Sequence, residues 1–327
     1  MKILFNLFGV GCGNNGGTLT LFKSANTLSK LGHDVKIIDS GKNQNTWFKL
    51  NVPHIIIKDI REAPEADVII ATGIKSVDST NKSNVKIKAW YIRGWETWAL
   101  PEEHVTRITK SSFTLKIVNS ICLQNKLKQH GIESTIVRPG YDFNEIYPLD
   151  IRKDNLKVVL GGLSNQGKKW ARKRCDWLPE VYKVLSSKYK VVLAMFGTGG
   201  NPGLKNCSFF ENPTVESKNR LYNTVDIWMA PTMNEGLHIP PAEAGLTECP
   251  SVVTNAEMSG TQDYIIDGVT GLVSKDNITN FTKQVERLIV DKDLRISLGK
   301  NIVNKVKELG DRPTNMKKMI EIFEKVL

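Results

Sequence analysis

Glu235 and Glu243 stand eight positions apart with Pro240 and Pro241 between them, and no other stretch of this chain constrains its fold as tightly. The apolar run VDIWMAP (225–231) reads as a buried strand, and Met233 to Ile239 as a loop beyond its carboxyl end. Proline is tolerated in the first turn of a helix, where its missing N–H has no partner to lose. The second proline therefore starts a helix that carries Glu243. One carboxylate on a loop and one on the following helix, both at the carboxyl edge of a sheet, mark the place where open α/β sheets bind ligands.

Length and composition set the frame. A chain of 327 residues is longer than one hydrophobic core usually serves, so two domains are expected. No apolar run approaches the roughly 20 residues that span a bilayer, so no integral membrane segment is expected. The start, MKILFNLFGVGC, is broken by Asn6 and runs into glycines, so it reads as a first strand rather than a signal peptide. The five cysteines and five histidines are scattered, without a Cys-x-x-Cys, so neither a disulfide scaffold nor a metal site is expected and a reducing cytoplasm fits. The net charge of +11 admits an acidic partner such as DNA, an anionic surface met peripherally, or nothing beyond a Lys-, Asn- and Ile-rich composition.

Strands and helices alternate in both halves, which argues an α/β chain of two doubly wound, Rossmann-like domains. Lys2–Phe8, the helix Thr18–Leu31 and His33–Asp39 form a βαβ unit. Gly11-x-Gly13-x-x-Gly16 with Asp39 has the spacing of a dinucleotide fingerprint. In that fingerprint the helix opens within the glycines, whereas here a Gly/Asn loop comes first. An NAD-dependent oxidoreductase is kept as an alternative that leaves Glu235 and Glu243 unexplained. Gly16 and Gly17 let backbone approach a phosphate, and the N–H groups at the helix start favour negative charge.

Ala66–Thr72 and Val85–Ile92 read as strands, followed by the aromatic segment AWYIRGWETW (89–98). Aromatic faces stack on sugars and bases, so Trp95 and Trp98 are candidates for holding an acceptor, while Trp90 fits the core equally well. Arg93 is a candidate cation for an acidic acceptor or a partner for Glu96. Leu115–Asn119 reads as a strand and Cys122–His130 as a helix. Tyr147 to Asn155 is polar, so a linker and a boundary near Asp150 are expected. Leu156–Gly161 opens the second domain as a strand, and KKWARKR (168–174) looks like a basic helix. Asp291-Lys292-Asp293 has the letters of a metal-binding DxD but falls between two helices and reads as connector. Met316–Leu327 is a final helix.

The stretch EGLHIPPAEAGLTECPSVV (235–253) resembles the signature of the retaining glycosyltransferases of family 4, roughly EGxGxPxxEAxxxGxPVV. Gly260, Asp263 and DGVTGLV (267–273) resemble the segment that follows, and Gly16-Gly17, GHDV (32–35) and RPGYD (138–142) resemble the family's other patterns. Four departures stand out. His238 occupies a usual glycine, Glu248 a small residue or glycine, Asp263 a glutamate, and Leu163 the arginine that binds the donor diphosphate.

The resemblance implies the GT-B architecture, two Rossmann-like domains facing across a cleft. Residues 1–150 would serve the acceptor and 151–310 the nucleotide sugar, with 311–327 crossing back as a helix. It implies transfer of a sugar from a nucleotide donor to a hydroxyl with retention, without metal or other cofactor. Glu243 would hold the donor ribose and Glu235 the sugar hydroxyls. Backbone N–H groups of Gly236, Leu237, His238 and Ile239 would approach the sugar, and Lys168 with Arg172 would stabilise the diphosphate. Arg93 stands near the place of the family's loop histidine or glutamine, with Glu96 after it. The acceptor is left open between a glycan, a lipid-linked sugar or small molecule and a hydroxymethylated DNA base of the kind phage enzymes modify, which would make this a viral protein in a host cytoplasm. A non-catalytic nucleotide-binding descendant is a further alternative, resting on Leu163, Arg93 and His238.

Overall fold

The computed structural model describes residues 1–41, 45–113, 115–151, 157–165 and 168–327, and only the backbone of 168–170. The chain divides into two compact units, Met1–Gly140 with Asp311–Leu327, and Tyr141–Gly310.

In the first unit the strands are β1 (Lys2–Asn6), β2 (Asp34–Asp39), β3 (His54–Ile56), β4 (Val68–Ala71), β5 (Ile87–Ile92), β6 (Leu115–Val118) and β7 (Thr135–Ile136). They form a parallel seven-stranded sheet ordered β3-β2-β1-β4-β5-β6-β7. Its helices are α1 (Gly16–Lys30), α2 (Val77–Lys82), α3 (Glu102–Ser111) and α4 (Ile121–Gln129). Strands such as VIIA of β4, buried at every position, are the unbroken apolar runs that a parallel sheet covered on both faces requires. α1 starts at Gly16, two positions before the expected Thr18, because the Asn15 side chain accepts from the Thr18 N–H at 3.0 Å and caps the helix there.

The second unit holds β8 (Val158–Leu163), α5 (Trp177–Ser186), β9 (Val191–Gly197), β10 (Cys207–Glu211), α6 (Val215–Thr224) and β11 (Ile227–Ala230). It continues with α7 (Ile239–Leu246), β12 (Ser251–Thr254), β13 (Gly271–Ser274), α8 (Ile278–Val290) and α9 (Lys292–Lys307). The parallel six-stranded sheet has the order β10-β9-β8-β11-β12-β13. Asp291 caps α9 by accepting from the Leu294 N–H at 2.9 Å, so the DxD letters are a helix connection. KKWARKR is not an α-helix: its first six residues form a 3₁₀ turn, Lys168–Lys173.

The last helix, α10 (Arg312–Glu324), belongs to the first unit, where Met316, Met319, Ile320 and Phe323 share a core with Leu21, Phe22, Ala25 and Leu28 of α1. Gly140 takes φ +77°, and a Cβ there would stand 2.4 Å from the Arg312 backbone, so only glycine fits.

The units part between Gly140 and Tyr141, not near Asp150. The expected linker begins at Tyr147, yet Tyr147 and Leu149 are tied to α6: Asn219 Oδ1 accepts from the Tyr147 N–H at 3.1 Å and Asn223 Oδ1 from the Leu149 N–H at 2.7 Å. Tyr141 and Ile146 are buried in the second unit's core. The rest of the expected linker, 152–155, lies outside the described residues, and so does Leu156, the expected start of β8. All five cysteines are free thiols. Among the described residues no helix is long and apolar enough to cross a membrane.

Candidate functional site

The loop after β11 is held from below by the segment after β12. The Glu235 N–H donates to Met258 O at 2.7 Å and the His238 N–H to Gly260 O at 2.8 Å. The Tyr264 hydroxyl donates to His238 O. Gly260 has φ +71°, and a Cβ on it would lie 3.0 Å from both Glu235 Cβ and His238 N. Gly260 is therefore required by the close approach of two loops. Because the His238 N–H is already spent on Gly260 O, the expectation that this amide faces a ligand is corrected.

Glu235 lies on this loop and Glu243 on α7, as the prolines predict. α7 opens at Ile239 with both prolines in its first turn, two residues earlier than expected. The helix ends in a Schellman arrangement: the Cys249 N–H donates to Ala244 O and the Glu248 N–H to Gly245 O, each at 3.1 Å. Glu248 takes φ +61°, the left-handed conformation that glycine adopts without strain. His238, by contrast, has φ −82°, which any residue adopts, so a side chain is tolerated at that glycine-like position.

The two carboxylates are each held by a cation. Lys173 Nζ is 2.8 Å from Glu235 Oε1. Burial pushes the Glu235 carboxyl up, but the charges of Lys173 and Arg172 hold it below the usual glutamate range. His238 is 3% exposed, and among the described residues neither ring nitrogen has a hydrogen-bond partner. Burial lowers its pKa to about 3, so the ring is neutral. Lys218 Nζ lies 2.9 Å from Glu243 Oε1, and the Tyr222 hydroxyl donates to Glu243 Oε2 at 2.8 Å. Tyr222 is fully buried, which, with the Glu243 charge beside it, keeps its hydroxyl protonated.

No sequence motif singles out Lys173, Lys218 or Tyr222. Lys173 and Leu163 line one small cavity together with His238. The Lys168 side chain lies outside the described residues. Arg172 O accepts from the Met233 N–H at 2.9 Å, and its charge reaches both Glu235 and His238. Arg174 pairs with Asp276 and sits over the Trp177 ring at 4.6 Å, a structural contact. Leu237 packs into the core with Ile239 against it.

In the first unit Arg93 donates to Gly17 O and, at 2.8 Å, to Thr72 O. Glu96 accepts from the Ile74 N–H at 2.9 Å. Gly16 and Gly17 form the exposed first turn of α1. Trp95 is 2% exposed, stacked on His130 at 5.3 Å and bonded through Nε1 to Glu102 at 3.2 Å. It is a core residue, which corrects its expected stacking on an acceptor. Trp98 is 43% exposed and packs on Gly94. Asp39 is fully buried, so the acid of the dinucleotide fingerprint is not presented to a ribose, and the NAD reading loses its support.

Residues 158–291 match the family profile described as glycosyl transferases group 1. Over 81 residues the chain is 33% identical to the capsular polysaccharide biosynthesis glycosyltransferase CapM of Staphylococcus aureus, a match that covers 24% of this chain and 21% of that relative's length. Among solved structures, HepE of Anabaena in complex with UDP-glucose is similar at a TM-score of 0.78 and 14% identity, over 99% of this chain and 100% of that one. Sucrose-phosphate synthase from Thermosynechococcus elongatus is similar at 0.77 and 13%, over 100% and 99%. These likenesses show the GT-B fold.

Proposed function

We propose that this chain, a GT-B protein of the glycosyl transferases group 1 by residues 158–291, moves a sugar from a nucleotide donor to a hydroxyl acceptor with retention. The observation that carries the reading is the pair of braced carboxylates, Glu235 on Lys173 and Glu243 on Lys218 and Tyr222, at the end of β11 within the matched stretch.

A carboxylate has about four acceptor sites, so Glu243 held by Lys218 and Tyr222 still accepts from two ribose hydroxyls. Glu235 does the same for hydroxyls of the sugar, and the Leu237 and Ile239 amides at the start of α7 complete the cradle. The leaving diphosphate gains negative charge as the anomeric C–O bond breaks, and a cation fixed beside it lowers that barrier. Leu163 cannot supply that charge. Lys173, which lines the same cavity, takes its place alongside Lys168 and Arg172. The acceptor oxygen bonds to the anomeric carbon while its proton passes to the departing phosphate. No enzyme carboxylate need form a glycosyl bond, unlike the retaining hydrolases, and no metal is required.

The acceptor we propose is a saccharide, free or lipid-linked. The stretch of 33% identity to a capsular polysaccharide glycosyltransferase supports it. The test is nucleoside diphosphate release from UDP-, GDP-, ADP- and dTDP-sugars, with saccharide acceptors and, separately, hydroxymethylcytosine-containing DNA. Stimulation by a saccharide is expected. Release stimulated by the DNA alone would replace this acceptor with a base, and NAD binding without any donor turnover would overturn the reading.

A further inference from the structure

Three side chains unused by the transfer reaction meet in the first unit. Cys12 lies on the loop after β1, Asp39 ends β2 and His54 opens β3. Cys12 and Asp39 are 1% and 0% exposed, and the His54 side chain 15%. Cys12 Sγ is 3.4 Å from Asp39 Oδ2 and 3.7 Å from His54 Nε2, and that nitrogen is 3.8 Å from the same Oδ2. The nitrogen–oxygen separation is too long for a hydrogen bond of roughly 2.7–3.2 Å. One ring nitrogen faces both partners, so the cluster cannot relay a proton as a nucleophilic triad does, where the two ring nitrogens serve different groups.

What the triangle does fit is an ion. Its sides of 3.4, 3.7 and 3.8 Å match the ligand–ligand edges of about 3.3–3.8 Å that tetrahedral zinc sets with bonds of roughly 2.0–2.3 Å to carboxylate, imidazole and thiolate. We propose that Cys12, Asp39 and His54 bind a zinc-class divalent ion, with a fourth position for water. A thiolate and an imidazole select against magnesium and calcium, which take oxygen ligands. Binding forms the metal–sulfur bond and releases the thiol proton. The two ligand charges then cancel those of the ion, leaving a neutral buried site.

The neighbours of the ligands suit that role. Asp39 Oδ1 accepts from the Ser40 N–H at 2.6 Å, which orients the carboxylate and turns Oδ2 toward the cluster. Trp47 Nε1 donates to Cys12 O at 2.9 Å and fixes the backbone that presents the thiol. The ion ties the loop that enters α1 at Gly16 to β2 and β3. Its role is structural, and the transfer chemistry of the second unit does not pass through it. Sequence reading expects no metal site because the three ligands come from three separate stretches, which the sheet order β3-β2-β1 brings side by side.

The test is metal content and cobalt spectroscopy on the whole chain. Protein produced in zinc-replete medium and dialysed is expected to retain about one zinc per chain. Exchange for cobalt is expected to give a thiolate-to-metal charge-transfer band. Cys12→Ser abolishes both, while Cys207→Ser, on β10 of the other unit, keeps both. His54→Ala, at the most exposed ligand, abolishes both as well and serves if Cys12→Ser does not fold. Wild-type protein without zinc and without the cobalt band overturns the proposal, as does a band that survives Cys12→Ser or His54→Ala.

Discussion

Lys173 Nζ stands 2.8 Å from Glu235 Oε1, with 15% and 17% of the two side chains exposed. A pair this enclosed cannot lose one member cheaply, because the other is left charged with little water. Lys173→Met is expected to cost about 3 kcal/mol of stability. Adding Glu235→Gln should restore much of the loss, since no buried charge is then stranded. Denaturant unfolding of the single and double variants checks this; additive losses would show that the two groups do not interact.

Tyr222 braces Glu243 from within the core. Tyr222→Phe keeps the ring but removes a hydrogen bond to a charged acceptor, an interaction of about 1.5–3 kcal/mol. Stability should fall by about that amount, and the donor KM should rise more than kcat falls, because Glu243 is assigned to ground-state ribose contact. An unchanged KM would separate Tyr222 from the donor.

His238 predicts acid sensitivity. Its folded pKa is lowered from 6.5 to about 3, so between those values the unfolded chain binds a proton that the folded chain does not. Stability therefore falls as pH drops through that window, by about 1.4 kcal/mol per pH unit at most. Glu235 acts lower: its depressed pKa gives stability present above the ordinary glutamate value of 4.5 and lost as pH falls through the folded value. In urea melts from pH 6.5 down to 4.5, His238→Asn should flatten the slope. An unaltered slope would mean that the ring titrates normally.

Glu248 holds φ +61° at the end of α7. The left-handed conformation costs an L-residue about 1–2 kcal/mol, partly offset in the unfolded chain by the flexibility of glycine. Glu248→Gly should stabilise by about 0.5–1 kcal/mol, read as a higher Tm. A lower Tm would mean that the glutamate side chain contributes more than its backbone costs.

Much of this was legible because local chemistry and tertiary structure agree. Buried parallel strands are continuous apolar runs, and VDIWMAP followed by Pro240-Pro241 placed Glu235 on a loop and Glu243 on a helix. Lys173 was not legible: in KKWARKR every cation looks alike until the 3₁₀ turn decides which one faces Glu235. Polar composition makes 147–155 resemble a linker and puts the boundary near Asp150, whereas backbone bonding of Tyr147 and Leu149 to Asn219 and Asn223 ties the start of that stretch to the second unit. The start of α3 is legible too, since Pro101 followed by Glu102 and Glu103 is a helix-start signal. Sequence makes Trp95 a candidate for holding an acceptor because it does not reveal that His130 covers its face.

The central claim is that the Glu235–Glu243 stretch binds a nucleotide sugar for transfer. The measurement that tests it most directly is the donor KM for nucleoside diphosphate release by wild type and by Glu243→Gln, using whichever donor the wild type turns over. The account predicts a KM raised at least about tenfold, equivalent to roughly 1.4 kcal/mol of lost binding. An identical KM and kcat in the variant would contradict it.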